Sequence, residues 1–395
     1  MKKLSYIFTI TLSAFIFFTG CSKSENTGGE DDSILRAVFG NNISLNNLEN
    51  YANQVKPSYI VKDNSDGNNI NDMKATLGRV LFYDKQLSVD NSISCGSCHK
   101  QEFAFSDTAL ISPGVDGAFT ARHSMRLINA RFGVERKFFW DERAATLEQQ
   151  TTMPIQDHAE MGFSGQNNRP GIGDLISKLS NLNYYRILFT EAYGDPTITT
   201  NRLQECLAQF VRSIQSFDAK YDAGRALVPN DPPPFPNFTP QENAGKQLFF
   251  QPPTLNANGV RIGGGAGCNG CHNAPEFDIN PNSLNNGIVG TVNGTGLDIT
   301  VTRAPSLRDW ANRNGIPNGP MMHDGSLPTI RNVIQHYNNI VIVPGNTNLD
   351  PRLRPNGNGQ TLNLTQQEIN NIEAFMLTLS GSDVYTNSKW SNPFQ

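Results

Sequence analysis

Two Cys-x-x-Cys-His pentapeptides stand in this chain, Cys95-Gly96-Ser97-Cys98-His99 and Cys268-Asn269-Gly270-Cys271-His272. They take up four of its six cysteines and two of its six histidines. Two thiols at this spacing can each bond a vinyl group of one haem, and the adjacent histidine can become an axial ligand of the iron. A structural zinc site would need two further ligands close to each motif. A thioredoxin-like redox pair has no requirement for the histidine. The pattern therefore predicts two covalently attached c-type haems.

The elements that must carry these motifs repeat along the chain. Leu77-Gly78-Arg79-Val80-Leu81-Phe82 aligns with Ala244-Gly245-Lys246-Gln247-Leu248-Phe249, and each helical segment leads through a loop into a haem motif. The second opens on the capping box Thr239-Pro240-Gln241-Glu242. Another box, Thr365-Gln366-Gln367-Glu368, starts an amphipathic helix through Ile369, Ile372, Phe375, Met376 and Leu379. Asp174 to Thr190 and Asn201 to Phe217 also carry apolar residues at helical spacing, and Cys206 within the latter reads as a buried, inert thiol. Alternating strand patterns are few and short. The run Gly263-Gly264-Gly265-Ala266-Gly267 lacks the Lys-Ser/Thr of a P-loop and reads as a flexible approach to the second motif. The expected fold is mostly α, with two class I cytochrome c-like domains, each holding one haem.

Lys2 and Lys3, an apolar run from Tyr6 to Phe18, and small residues before Cys21 describe a secretory leader over residues 1–20. Thr19-Gly20-Cys21 resembles a lipoprotein cleavage box, which would make Cys21 the lipid-bearing residue of a protein on the periplasmic side of a bacterial envelope. Residues 21–65 are expected as a flexible tether and lead-in, 66–227 as the N-terminal haem domain, and 239–395 as the C-terminal one. Between them Pro229, Pro232, Pro233, Pro234 and Pro236 make 228–238 a semi-rigid connector. Losing Lys2 and Lys3 with the leader takes the formal charge from −4 to −6, which argues against nucleic acid as a partner.

Further segments resemble the bacterial di-haem cytochrome c peroxidase family and its MauG-like branch. They are Phe139-Trp140-Asp141-Glu142-Arg143-Ala144, Gln150, Pro154 to Gly162, Pro305-Ser306-Leu307-Arg308 and Met322-His323-Asp324-Gly325-Ser326. Glu142 stands where the family usually has glycine. The resemblance implies that Trp140 conducts electrons or stabilises charge between the haems, although alone it would read as core packing. Glu160 and Gln150 match the distal-pocket residues of the N-terminal haem. A carboxylate near iron can move a proton from the inner to the outer oxygen of peroxide, whereas Glu160 in isolation would read as a solvated surface charge. His323 is expected to contact a haem propionate.

Two departures shape the functional expectation. Family members have a histidine about sixteen residues beyond the first haem histidine, but here that region reads Ser112-Pro113-Gly114-Val115-Asp116-Gly117. The first haem is therefore expected to be open, with His123 as the competing reading of a displaced ligand. His123 also occupies the place of an asparagine that helps bind calcium in the family, which argues against calcium in its usual form. At the second haem, Tyr337 stands where the family has methionine, with His336 next in order and Met321 or Met322 after it. The first expectation is an exported peroxidase reducing hydrogen peroxide with electrons from a small cytochrome c or a cupredoxin, with a homodimer left open. A MauG-like oxidase of a protein or organic substrate is the alternative. An electron carrier with both irons saturated comes third.

Overall fold

The computed structural model describes Met1 and residues 28–395; the expected leader, Cys21 and the first part of the tether lie outside the described residues. Helices α1 (Gly28–Phe39), α2 (Asp72–Tyr83), α3 (Cys95–Cys98), α4 (Leu147–Gln156), α5 (Ile172–Ser180), α6 (Asn183–Tyr193), α7 (Thr200–Ser213), α8 (Lys220–Arg225), α9 (Pro240–Phe250), α10 (Ile330–Asn338) and α11 (Gln366–Leu377) carry most of the regular structure. Two antiparallel ribbons supply the strands: β1 (Pro253–Leu255) with β2 (Arg261–Gly264), and β3 (His272–Asn273) with β4 (Asp278–Ile279). The fold is mostly α, as its patterning predicts. Among the described residues no helix is long and apolar enough to cross a membrane.

Two hydrophobic cores organise the chain. In the first, α2 packs against α7 through Leu77, Val80, Leu81, Leu203, Leu207 and Phe210. In the second, α9 packs against α11 through Phe249, Ile369, Ile372, Phe375 and Met376. Each crossing turns on the glycine of the internal repeat. A Cβ on Gly78 would stand 2.0 Å from the carbonyl oxygen of Cys206, and one on Gly245 would stand 1.8 Å from that of Asn371. No other residue lets these helix backbones approach so closely. The repeat is thus a repeated helix contact, and both capping boxes, Thr239 with Glu242 and Thr365 with Glu368, form as expected.

The basic residue after each glycine also has one job in both halves. Arg79 donates from Nε to the carbonyl of Ser391 at 2.7 Å. Lys246 donates from Nζ to the carbonyls of Asp231 and, at 2.7 Å, Pro233. Each cation therefore ties an extended segment across its helix pair. In the second half that segment is the proline-rich connector, whose Phe235 and Phe238 enter the core. In the first half it comes from the far end of the chain: Val384 and Trp390 belong to the first core, and the Trp390 indole donates to the carbonyl of Ser213.

Three local expectations are corrected. Residues 28–65 are not a free lead-in: Leu35, Phe39, Ile43 and Tyr51 are buried in the first core, and Tyr51 donates its hydroxyl to the carbonyl of Lys389 at 2.5 Å. The polar composition that suggested a tether ends at Asp32, and these apolar residues beyond it are buried. The helical pattern from Asp174 to Thr190 is divided between α5 and α6, because the Asn181 and Ser180 side chains bond back to the Ser177 and Ile176 carbonyls and compete with the continuing ladder. The glycine run contributes to β2, paired with β1, instead of forming a loose approach.

Candidate active site

Helix α3 is a single turn, so Cys95 and Cys98 fall on one side of it and His99 follows at its end. Ser94 and Ser97 close the turn, with the Ser94 N–H bonded to Ser97 Oγ at 3.0 Å. His99 bonds through Nδ1 to the carbonyl of Phe105 at 3.1 Å, which leaves Nε2 as the ligating nitrogen. Ala104 and Phe105 hold that carbonyl in place at φ 54° and 59°. Burial lowers the His99 pKa, keeping the ring in the neutral form that binds metal.

The thiols and His99 open onto a cavity of about 480 Å³, lined on its apolar side by Phe82, Leu127, Met161 and Leu207. Trp140, Gln150 and Glu160 line the same cavity. These three residues, far from His99 in the chain, are brought together around it. The free thiols, the neutral histidine and the apolar wall fit a covalently held haem.

Burial, followed by the charge of Asp157, pushes the Glu160 carboxyl up to about 7, against a smaller opposing effect of Arg143. Glu160 sits in a turn fixed by its own N–H on Asp157 Oδ1 at 3.0 Å. The Val115 N–H bonds the carbonyls of Ala159 and Glu160, both at 3.1 Å, and so pins the Ser112–Gly117 loop to that turn. Of that loop, Pro113 is what reaches the cavity wall.

His123 also borders the cavity, but its ring bonds through Nδ1 to the Ala109 carbonyl at 3.0 Å, and its Nε2 packs beside Gly319. Its backbone links the two halves. The His123 N–H donates to the His323 carbonyl at 2.7 Å, and the His123 carbonyl accepts the Trp140 indole N–H at 2.8 Å. His323 lies behind Trp140, away from the cavity wall, donating from Nε2 to the carbonyl of Gly290 at 2.9 Å. Nearby, Arg122 joins Asp141 of the first half to Asp298 of the second at 2.6 and 2.8 Å. Glu142 adopts φ 56°, the left-handed conformation for which glycine is suited.

At the second motif, Gly267 at φ 71° turns the chain into Cys268–Gly270, and His272 begins β3. Burial, then the charges of Arg126 and Arg352, push the His272 pKa down to about 4, and its Nδ1 is buried without a hydrogen-bond partner. This imidazole too is held neutral. Tyr337 on α10 is enclosed, its pKa raised by burial, and the Cys271 and Cys268 thiols are close enough to add to the shift. Its hydroxyl accepts a hydrogen bond from Asn286 Nδ2 at 3.1 Å, and the same amide reaches Met322 Sδ at 3.2 Å. His336 turns away, bonding through Nε2 to the Asn286 carbonyl at 2.9 Å. Met321 packs against the second core. Asn286 has no motif or spacing that marks it in the sequence. Among the described residues no group of three or more His, Cys, Asp or Glu side chains forms a metal cage.

Similarity to known proteins runs over most of the chain. Residues 72–226 match the family model described as di-haem cytochrome c peroxidase. The chain is 29% identical over 320 residues to the methylamine utilization protein MauG of Methylophilus methylotrophus, covering 78% of this chain and 82% of the relative. It is 24% identical over 318 residues to the cytochrome c551 peroxidase of Nitrosomonas europaea, covering 78% and 80%. A crystal structure of a MauG-like protein associated with microbial copper homeostasis superposes with a TM-score of 0.65 at 27% identity, over 86% of this chain and 99% of that one. The diheme peroxidase BthA from Burkholderia thailandensis, at 21% identity and a TM-score of 0.61 over 80% and 88%, shares the fold.

Proposed function

We propose that this chain, similar over residues 72–226 to the di-haem cytochrome c peroxidase family, is an oxidoreductase of that family with two c-type haems and that it reduces hydrogen peroxide to water at the His99 cavity. The balance is one peroxide, two protons and two electrons giving two waters. The haems, when bound, supply the iron that receives peroxide and the electrons that cleave its O–O bond. The protein's part is to hold the pocket and handle protons. Glu160 takes the proton from the inner oxygen and returns it to the outer one, and Gln150 orients the peroxide. The observation that carries this reading is Glu160 itself, a carboxyl enclosed on the cavity wall and titrating near 7, the match of pKa to working pH that proton transfer favours.

Electrons enter at the His272 side from a small cytochrome c or a cupredoxin and pass by way of Trp140. The His99 haem would be open in this reading, since Pro113 is what the Ser112–Gly117 loop brings to the cavity and the free Nε2 of His123 packs beside Gly319. Tyr337 would supply the sixth ligand of the second haem, a role supported by its enclosure near Cys268 and Cys271, and His323 would contact a propionate. Each half is a cytochrome c-like domain, a reading supported by the matching α2–α7 and α9–α11 crossings. The basic, apolar leader and Cys21 support export and lipid anchoring on the periplasmic side, with calcium in its usual form disfavoured by His123.

Turnover of peroxide with a reduced small cytochrome tests the proposal. Glu160→Gln should lower kcat by about 10²-fold or more, the loss expected when an acid–base group is removed. An unchanged kcat would dismiss it. Tyr337 gives weight to a second reading, a MauG-like oxidase that draws electrons from a protein or organic substrate. That reading is favoured if peroxide is consumed slowly with every small redox donor yet rapidly when such a substrate is oxidised.

A further inference from the structure

Four arginines line the His99 cavity: Arg122, Arg126, Arg143 and Arg303. Three have carboxylate partners. Arg122 pairs with Asp141 and Asp298, Arg143 pairs with Asp141 at 2.8 Å, and Arg303 pairs with Asp278 at 3.4 Å. Arg126 has no such partner among the described residues. It donates from Nη2 to the Ser306 carbonyl at 3.1 Å, and its Nε is buried with no hydrogen-bond partner.

Burial pushes the Arg126 pKa down to about 10, with Tyr385 and Asp309 opposing that shift only weakly. Asp309 is already engaged, accepting at Oδ1 from the Gly381 N–H at 2.7 Å and from the Tyr385 hydroxyl at 3.3 Å. An enclosed guanidinium without a counter-ion is unfavourable, and its flat fork is shaped for a carboxylate. The neighbouring cavity is the one that fits a haem, and each haem carries two propionate carboxylates. The charge of Arg126 also reaches His272, so this cation stands between the two haem sites.

We infer that Arg126 is the counter-ion of a propionate of the haem held by Cys95 and Cys98, and that it raises that haem's reduction potential. A fixed positive charge beside the porphyrin favours ferrous over ferric iron. Arg126 is a positioning residue in this scheme: it touches the propionate and takes no part in moving peroxide's proton. The inference rests on the two-haem assignment and is independent of the role given to Glu160.

Spectroelectrochemical titration of both haems in the intact protein at pH 8 tests it. Arg126→Gln should lower the potential of the His99 haem more than that of the His272 haem, and Arg126→Lys should restore it. Equal potentials in wild type and Arg126→Gln, a larger shift at the His272 haem, or no recovery in Arg126→Lys would overturn it. A second measurement needs no variant. A crystal structure of the haem-loaded wild type should place the guanidinium within hydrogen-bond distance of a propionate of the His99 haem. Finding Arg126 paired instead with Asp309, or with no anion, would refute the assignment even if Arg126→Gln fails to mature.

Discussion

The Trp140 indole and the His323 imidazole meet edge to face with their centroids 6.3 Å apart, where the two halves of the chain adjoin. His123 bridges the same two residues with its backbone, accepting from the indole and donating to the His323 carbonyl. Orientation of the indole is thereby fixed from both halves. Trp140→Phe keeps an aromatic ring but loses the donor. Electron exchange between the haems should slow by about tenfold, equivalent to ~1.4 kcal/mol of barrier, with both haems still covalently attached. Stopped-flow reduction of the two haems reads this directly.

Glu160 has a pH signature. Its carboxyl is protonated below about 7 and ionised above, and only the ionised form can accept peroxide's proton. The rate of peroxide reaction should rise with pH through about 7 in the wild type. In Glu160→Gln the same limb should be absent. A wild-type profile flat from pH 5 to 8 would remove Glu160 from the mechanism.

Asn286 and Tyr337 form a pair that EPR can separate. Loss of the phenol oxygen in Tyr337→Phe should change the ferric signal of the His272 haem and leave that of the His99 haem in place. Asn286→Leu removes the amide that donates to that oxygen at 3.1 Å, and should perturb the same signal to a smaller degree. Removal of an outer-shell partner typically weakens a site by 10–100-fold. An unaltered spectrum in Tyr337→Phe would exclude this ligand.

Glu142 offers a stabilising change. At φ 56° it holds a conformation that costs an L-residue roughly 1–2 kcal/mol and glycine almost nothing. Burial and the charge of Glu135 raise its carboxyl pKa against Arg303, Lys137 and Thr302, and the 4.0 Å contact with the exposed Lys137 amine contributes little. Glu142→Gly should therefore raise the unfolding free energy read from urea titration by about 1 kcal/mol.

The helix crossings predict the opposite sign. Alanine is the better helix former, yet Gly245→Ala would drive a methyl group into the Asn371 carbonyl, and Gly78→Ala would do the same at Cys206. Overpacking of this kind typically costs ~1–3 kcal/mol, which exceeds the propensity gain of up to ~1 kcal/mol. Both variants should show a lowered Tm by calorimetry.

What could be read in advance followed the range of the signal. The haem motifs, the capping boxes and the apolar face of α11 are local, set by residues within a turn or two of one another. Glu160 and Gln150 meet His99 only through tertiary folding, and were legible through family resemblance alone. Asn286 and Arg126 lie in irregular segments with no periodicity, so their placement depends on contacts that no spacing encodes. The packing of residues 28–65 was missed for a similar reason. Leu35, Phe39 and Tyr51 are sparse among polar residues, and part of what receives them lies some 340 positions away, as with Tyr51 and Lys389 (|i−j| = 338).

That long return has a consequence for assembly. The first core is completed by Val384 and Trp390, clamped through Arg79 to Ser391, and these residues follow the entire second half in the chain. A fragment ending between the two haem motifs would thus present Cys95 and Cys98 on an unfinished scaffold, with the groove meant for Trp390 exposed. The first core is complete only once the chain has been made through Trp390, after every residue of the second core.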